Sequence, residues 1–433
     1  MPQIGSLALK SIDRFDNAWI VTYQHILSLL NEGFPWLTTW PQIVGNGNWF
    51  VVFDEAHFFC SDSIFYHNTT EILQRLVSTF SNATRIYMTA TPDEVKPLIA
   101  HVEYLFSKST HSDVPVIDSL RSTREIREFV FPVSYDYLTI KFFREWSTLT
   151  GEIEKNADEK WLIFVGSKDA GKALKRNLGK KAEYMDSETK AEESRAFYQL
   201  ARTSKFPHQV LIATSVLDNG VNIEDPAVKN VVIDSISEVQ MKQMLGRKRT
   251  SPGEKVTLYV KIATTQDITR QYNHYESSYR FLQSFREDPQ GNIIKLWGTL
   301  SPDMQKLLVP SYKYGQLVFI PNQFAEYYLG IMLQHCEMLL DTIKYDEQFG
   351  FSKTVLEWFT NATYQLDPLD NTPALQVIEK NRELLVPYSK KENNSPDEIK
   401  ELHNKLISFE EALHSCGLRP PTIRGGKEGE KKI

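Results

Sequence analysis

Asp54 and Glu55 stand side by side at the end of the apolar run Val51-Val52-Phe53, and His57 follows two residues later. A buried strand that delivers acids at its carboxyl end is how open α/β sheets present charge to a ligand. Asp54 has the chemistry to hold Mg²⁺, mostly through water, and Glu55 the chemistry to orient or deprotonate a water attacking a terminal phosphate. The same pair also suits a solvated turn after a strand, so the neighbouring stretches must discriminate.

Four further stretches carry polar groups at strand ends. Arg85-Ile86-Tyr87-Met88 reads as a buried strand, and Pro92 stops it after Thr89 and Thr91, whose hydroxyls are left at its carboxyl end to cap a turn or to act. Gly166-Ser167-Lys168-Asp169-Ala170-Gly171-Lys172-Ala173 follows another strand and nearly fits a phosphate-binding loop. Ala173 stands where that loop needs a Ser or Thr hydroxyl for Mg²⁺, and the segment lies far from Asp54, so Ser167 and Lys168 read better as a surface loop facing a ligand backbone. Thr214 through Gly220 to Asn222 follow a third strand, with Gly220 allowing a tight turn or close approach. Gln243 and the cations Arg247, Lys248 and Arg249 surround Gly246; they suit a solvated face or a phosphate, which the planar arginine fork bonds bidentately.

The elements that must position these groups follow from patterning. Ala18 to Tyr23 is β-rich and His25 to Leu30 helical; a Pro, Gly and Asn-rich loop (35–48) precedes the Asp54 strand, and a helix over 72–80 precedes the strand at 85–88. After a weakly periodic stretch come strands at 161–165, 210–213, 231–233 and 256–260, with helices at 170–178 and 191–201. Alternation of this kind predicts parallel sheets covered by helices. Beyond Thr265 the pattern becomes helical and aromatic-rich, at 271–285, 324–343 and 354–364, and Ser395-Pro396-Asp397-Glu398 opens a helix to about His414. The expected organisation is a first α/β lobe over 1–110, a linker at 111–132, a second lobe over 133–265, a helical region over 266–419 and a disordered tail at 420–433.

Hydrophobic content of 41% and charged content of 24% over 433 residues are those of a globular protein with two or three cores. A formal net charge of -6 means that any nucleic-acid partner must be met by a local basic surface. Cys60, Cys336 and Cys416 are far apart, which argues against a zinc site or disulfide framework. No apolar run approaches the ~18 residues of a membrane span, and the amino terminus has no signal-peptide pattern, so a cytoplasmic protein is expected.

Taken in order, Val21-Thr22-Tyr23-Gln24, Asp54-Glu55-Ala56-His57, Thr89-Ala90-Thr91-Pro92, Val165-Gly166-Ser167-Lys168, Thr214 to Asn222 and Gln243 to Arg249 resemble the signature series of superfamily 2 helicases of the DEAD/DEAH-box group, over residues 18 to 260. The resemblance implies an α/β protein with two tandem RecA-like parallel-sheet lobes, the first incomplete, followed by the helical carboxyl-terminal region. It implies ATP and Mg²⁺ as cofactors and single-stranded or duplex DNA or RNA as partner. Asp54 would then hold the metal, Glu55 would activate water, and His57, Thr89 and Thr91 would couple the nucleotide to strand movement. Ser167 and Thr214 would lie by the nucleic-acid backbone, Gly220, Asn222 and Arg249 by the nucleotide, and Gln243 and Arg247 at the γ-phosphate. Two departures stand out. Thr250 occupies the usual place of the second arginine, one residue after Arg249, and the Gly-Lys-Thr/Ser loop expected upstream of residue 18 is absent from 1–17. Three expectations follow: an amino-terminally truncated ATP-dependent helicase with impaired hydrolysis, a non-catalytic nucleic-acid-binding module, or an interaction subunit completed by a partner chain.

Overall fold

The computed structural model describes residues 13–15, 18–31, 50–80, 83–107, 127–131, 133–188, 195–214, 221–289, 301–313 and 316–370. Gly220, the loop at 35–48, most of the expected linker, the helix opening at Ser395 and the tail at 420–433 lie outside them. The chain divides into two compact units, Met1–Phe131 with Thr264–Tyr345, and Pro132–Ala263 with Asp346–Ile433.

The first unit begins with β1 (Asp13–Phe15) and β2 (Ala18–Ile20), an antiparallel pair, followed by α1 (Tyr23–Asn31). Strands β3 (Phe50–Phe53) and β4 (Thr84–Tyr87) pair in parallel with Val52 opposite Ile86. Between them lie α2 (Phe58–Ser61), a single 3₁₀ turn and α3 (Thr69–Thr79), and α4 (Pro92–Ser107) follows β4. Phe53 faces a core with Phe59, Leu73 and Val102. On the opposite face Phe50, Val52, Ile86 and Met88 are 61%, 50%, 40% and 44% exposed.

The second unit runs β5 (Leu138–Phe143), α5 (Trp146–Lys155), β6 (Lys160–Phe164), α6 (Lys168–Leu178), β7 (Ala182–Met185), α7 (Arg195–Thr203), β8 (Val210–Ala213), β9 (Val228–Ile233), α8 (Glu238–Gly246) and β10 (Val256–Lys261). The chain then returns to the first unit as α9 (Thr265–Glu287), α10 (Pro302–Gln305), the antiparallel pair β11 (Leu308–Lys313) and β12 (Gln316–Pro321), and α11 (Gln323–Tyr345). It ends in the second unit with α12 (Gly350–Trp358) and β13 (Thr363–Gln365). The second sheet has the order β13-β5-β10-β9-β6-β8-β7, parallel throughout. Its interior strand β6, between β9 and β8, is buried on both faces from Trp161 to Phe164, which is why an unbroken apolar run forms it. Trp161, Ile163 and Val165 pack on Leu149 and Ile153 of α5 and Leu174 and Leu178 of α6. Right-handed crossovers put those two helices on one face because both lead in the same direction across the sheet.

Two expectations change. The helical stretch expected at 354–364 ends at Trp358; Asn361 takes φ 68, a conformation asparagine tolerates, and redirects the chain into β13 beside β5. The carboxyl-terminal helices, expected as a region of their own over 266–419, are shared between the units. Phe324, Tyr328 and Met332 of α11 enter the core built by Phe53 and Phe59. The fully buried Asn322, just before α11, fixes that packing: it donates to the Ser63 carbonyl at 2.9 Å and accepts from the Thr70 hydroxyl at 2.8 Å. No described helix is long and apolar enough to cross a membrane.

Candidate functional site

In the first unit, strand pairing alone sets the acid cluster. Met88 N donates to Phe53 O at 2.9 Å and Ala56 N to Met88 O at 2.8 Å, so the ends of β3 and β4 are laced together just where the side chains turn polar. Glu55 takes φ 51, an uncommon conformation for a residue with a side chain, and its N–H donates to its neighbour Asp54 Oδ1 at 3.0 Å. The backbone thereby turns Glu55 away from the strand direction, and Asp54 stays exposed to solvent.

His57 is buried, and its Nδ1 lies 3.4 Å from Glu55 Oε2 and 3.4 Å from Thr89 Oγ1. Thr89 in turn accepts the Thr91 N–H at 3.1 Å, while the buried Thr91 hydroxyl has no hydrogen-bond partner. The His57 Nδ1 thus lies between the Glu55 carboxylate and the Thr89 hydroxyl, within reach of both. Tyr23 is a member that sequence reasoning placed in a motif without giving it a role. Its hydroxyl donates to the Asp54 carbonyl at 2.6 Å and its ring stacks on Phe58 at 4.7 Å. Burial, with Asp54 and Glu55 nearby, pushes the phenol pKa up, so it remains a donor.

In the second unit, the expected residues fall into two groups. Ser167 and Thr214 follow β6 and β8, which are adjacent in the sheet, so both stand at its carboxyl edge, where open α/β sheets bind ligands. Around the end of α8, Ile223 N donates to Arg247 O at 2.7 Å and Arg249 N to Ile223 O at 2.9 Å, joining the segment after β8 to the arginine segment. Arg249 Nε donates to Asn222 Oδ1 at 3.0 Å, which accounts for the proximity of these two residues. Lys248 points elsewhere: it is buried and bonded to Glu254 Oε1 at 2.9 Å, and although burial opposes ionisation of Glu254, that hydrogen bond leads the effects that hold its pKa down. Arg247 is buried, and Gln243 one turn earlier keeps a buried amide nitrogen without a hydrogen-bond partner.

The near-match to a phosphate loop serves the fold instead. Ser167 caps α6, accepting the Ala170 N–H at 3.2 Å. A Cβ on Gly171 would lie 2.4 Å from the Tyr184 ring, so this glycine is there for helix-to-strand packing. Lys168 is engaged by Glu188 at 2.7 Å. The aromatic and cationic residues of α9 likewise serve packing and pairing: Phe281 and Phe285 are core, Arg280 pairs with Glu276, and Arg286 pairs with Glu326.

A nucleotide with its metal can be tested against these residues. Asp54 has one carboxylate oxygen on the Glu55 N–H and offers the other, which suits an ion that keeps most of its water. Among the described residues no group of three potential ligands gathers into a metal cluster, so an ion here would be held by Asp54 through its water. The phosphates fare worse, because no described glycine-rich turn presents a nest of free N–H groups to them. The acids fit their half of such a ligand; the described residues do not cradle the other half.

The second unit is therefore an α/β lobe with polar groups gathered at its carboxyl edge and around the end of one helix. Residues 144–250 match the helicase conserved C-terminal domain, so the second unit carries that domain. No curated protein matches it. Among solved structures it is similar to the Mycobacterium smegmatis helicase Lhr bound to ssDNA and AMP-PNP, at 17% identity and a TM-score of 0.35, covering 56% of this chain and 32% of that one. A CRISPR-associated protein matches at 12% identity and a TM-score of 0.37, covering 70% of this chain and 36% of that one. S. cerevisiae Dbp5 bound to RNA and ADP BeF3 matches at 14% identity and a TM-score of 0.36, covering 54% of this chain and 59% of that one. The chain spans less than two thirds of the length of each.

Proposed function

We propose that this chain is a nucleic-acid-binding motor component of the superfamily 2 helicase type, with ATP and Mg²⁺ as its nucleotide ligands and slow hydrolysis on its own. The observation that carries the reading is the bridge formed by His57 between Glu55 and Thr89, each contact at 3.4 Å. A solvated turn has no use for a buried histidine joining an acid to the end of the next strand. In this reading bound Mg²⁺ and ATP supply the electrophilic phosphate. The protein's own residues would act as follows: in the first unit Asp54 would hold the hydrated ion and Glu55 would accept the proton of the attacking water, and in the second Arg247 and Gln243 would bind phosphate. Arg249, fixed by Asn222, and Gly220 contact the nucleotide, while Ser167 and Thr214 contact the nucleic-acid backbone.

The test is nucleic-acid-stimulated ATP hydrolysis. Slow turnover that rises with nucleic acid and falls by about 10²–10⁴ in Glu55→Gln is expected, the usual contribution of a positioned base. An unchanged rate in Glu55→Gln removes Glu55 from the chemistry. No hydrolysis together with single-strand binding that ignores ATP favours a non-catalytic binding module.

A second reading, an interaction subunit completed by another polypeptide, is favoured by the exposed apolar face of Phe50, Val52, Ile86 and Met88. Parallel strands ordinarily have both faces covered. A well-behaved monomer with one cooperative melt counts against that reading.

A further inference from the structure

Helix α6 and the 3₁₀ turn Gly179–Lys181 after it hold six cations and one acid, Asp169, in a chain whose net charge is -6. Gly171, Leu174 and Leu178 are buried against the sheet, so Lys172 and Arg176, both exposed, share the opposite ridge about 6 Å apart along the axis. Lys180 and Lys181 continue the exposed line beyond the helix.

Two of the six cations are already used. Lys168 is engaged by Glu188 at 2.7 Å and lies 3.9 Å from Asp186; Lys175 donates to the Gly179 carbonyl at 3.0 Å and to the Ala182 carbonyl, closing the helix end. Of the nearby acids, Glu183 lies 3.9 Å from His208, and Asp169 sits in the first turn, where it suits the positive end of the helix. Among the described residues nothing forms an ion pair or hydrogen bond with the side chains of Lys172, Arg176, Lys180 or Lys181. The three arginines of α9 are in contrast matched: Arg270 with Asp267, Arg280 with Glu276 and Arg286 with Glu326.

The ridge is also continuous with the carboxyl edge of the second sheet. Ser167 caps the first turn of α6, so the helix starts beside the Ser167 and Thr214 strand ends and runs back along the flank of the unit. We propose that the outward ridge of α6, Lys172, Arg176 and the following Lys180 and Lys181, is a track for the phosphate backbone of a nucleic-acid strand leaving or approaching that edge. It rests on the nucleic-acid reading above and extends it to a surface outside the signature residues. The interaction is sequence-independent: cations at intervals along a helix neutralise successive phosphates and read no bases.

The test uses the whole chain and a fluorescently labelled single-stranded oligonucleotide, followed by anisotropy over a range of salt. In Lys172→Glu/Arg176→Glu the affinity at low salt is expected to fall about tenfold or more. The slope of log K against log salt should shrink by about 1.4, at ~0.7 for each single-strand phosphate no longer neutralised. Lys172→Arg/Arg176→Lys should bind as the wild type does, and an unchanged melt of the reversal variant separates a weakened surface from a damaged fold. Wild-type affinity and slope in the double reversal overturn the track and leave nucleic-acid binding standing. An equal loss in Arg270→Glu/Arg280→Glu on α9 also overturns it, because overall charge would then be responsible. No binding by the wild-type chain overturns both readings.

Discussion

The two parallel sheets are built to different standards. In the second unit seven parallel strands carry helices on both faces, and β6 is buried from Trp161 to Phe164. In the first unit, β3 and β4 alone pair in parallel among the described residues, and one of their faces is apolar and exposed. The first sheet also draws on helices from far along the chain: α11 contributes Phe324, Tyr328 and Met332 to its core. The match to the helicase C-terminal domain falls where the sheet is self-sufficient, whereas the acid cluster sits where the fold relies on distant helices.

Substitutions can break or sharpen that contrast. Phe164→Ala, in the middle of the seven-stranded sheet, should cost about 3–5 kcal/mol of stability in denaturant unfolding; a loss below about 1 kcal/mol would mean this sheet is not the rigid half. Asn322→Ala should destabilise the first unit by about 2–3 kcal/mol, since it strands the Ser63 carbonyl and the Thr70 hydroxyl and opens a small void. Hydrogen exchange should locate the effect in α3 and α11, and an effect confined to α11 would deny the anchor.

A pH measurement separates the units further. Burial pushes the Asp62 carboxyl up to about 6, so between its unfolded value and that point the folded state binds the extra proton. Its contribution favours folding in acid and is lost as pH rises through about 6. Asp62→Asn should therefore stabilise the first unit by about 2 kcal/mol at neutral pH and flatten that decline; an unchanged pH profile would rule the group out. Asp370 accepts the Arg144 and Glu145 N–H groups at 2.9 and 2.6 Å, so Asp370→Asn should cost the second unit about 1 kcal/mol. Val52→Thr, on the exposed face of β3, should stay within about 0.5 kcal/mol of wild type; a larger loss would mean that something covers that face.

The positions of several strands in the second unit were legible because the runs at 161–165 and 210–213 are apolar without interruption and end in polar turns. Strand β5 was less so, since Lys141 interrupts Leu138–Phe143, and β7 was hidden by Glu183 at the sheet edge. The acid cluster was legible in its residues and their order. Its geometry was not: nothing local in Glu55 announces φ 51, and the hydrogen bond from Tyr23 to Asp54 spans thirty-one positions. The partition of the carboxyl-terminal helices was illegible for a related reason, because Asn322 reads as an ordinary helix-start residue until Ser63 and Thr70 are brought to it.

The most direct measurement is the affinity of the whole chain for a labelled single strand, with and without saturating ATP and Mg²⁺, in the wild type and in Arg247→Ala. A motor component is expected to bind in a salt-sensitive way, to change affinity when nucleotide is added, and to lose that change in Arg247→Ala. Isotherms that coincide with and without nucleotide would contradict it.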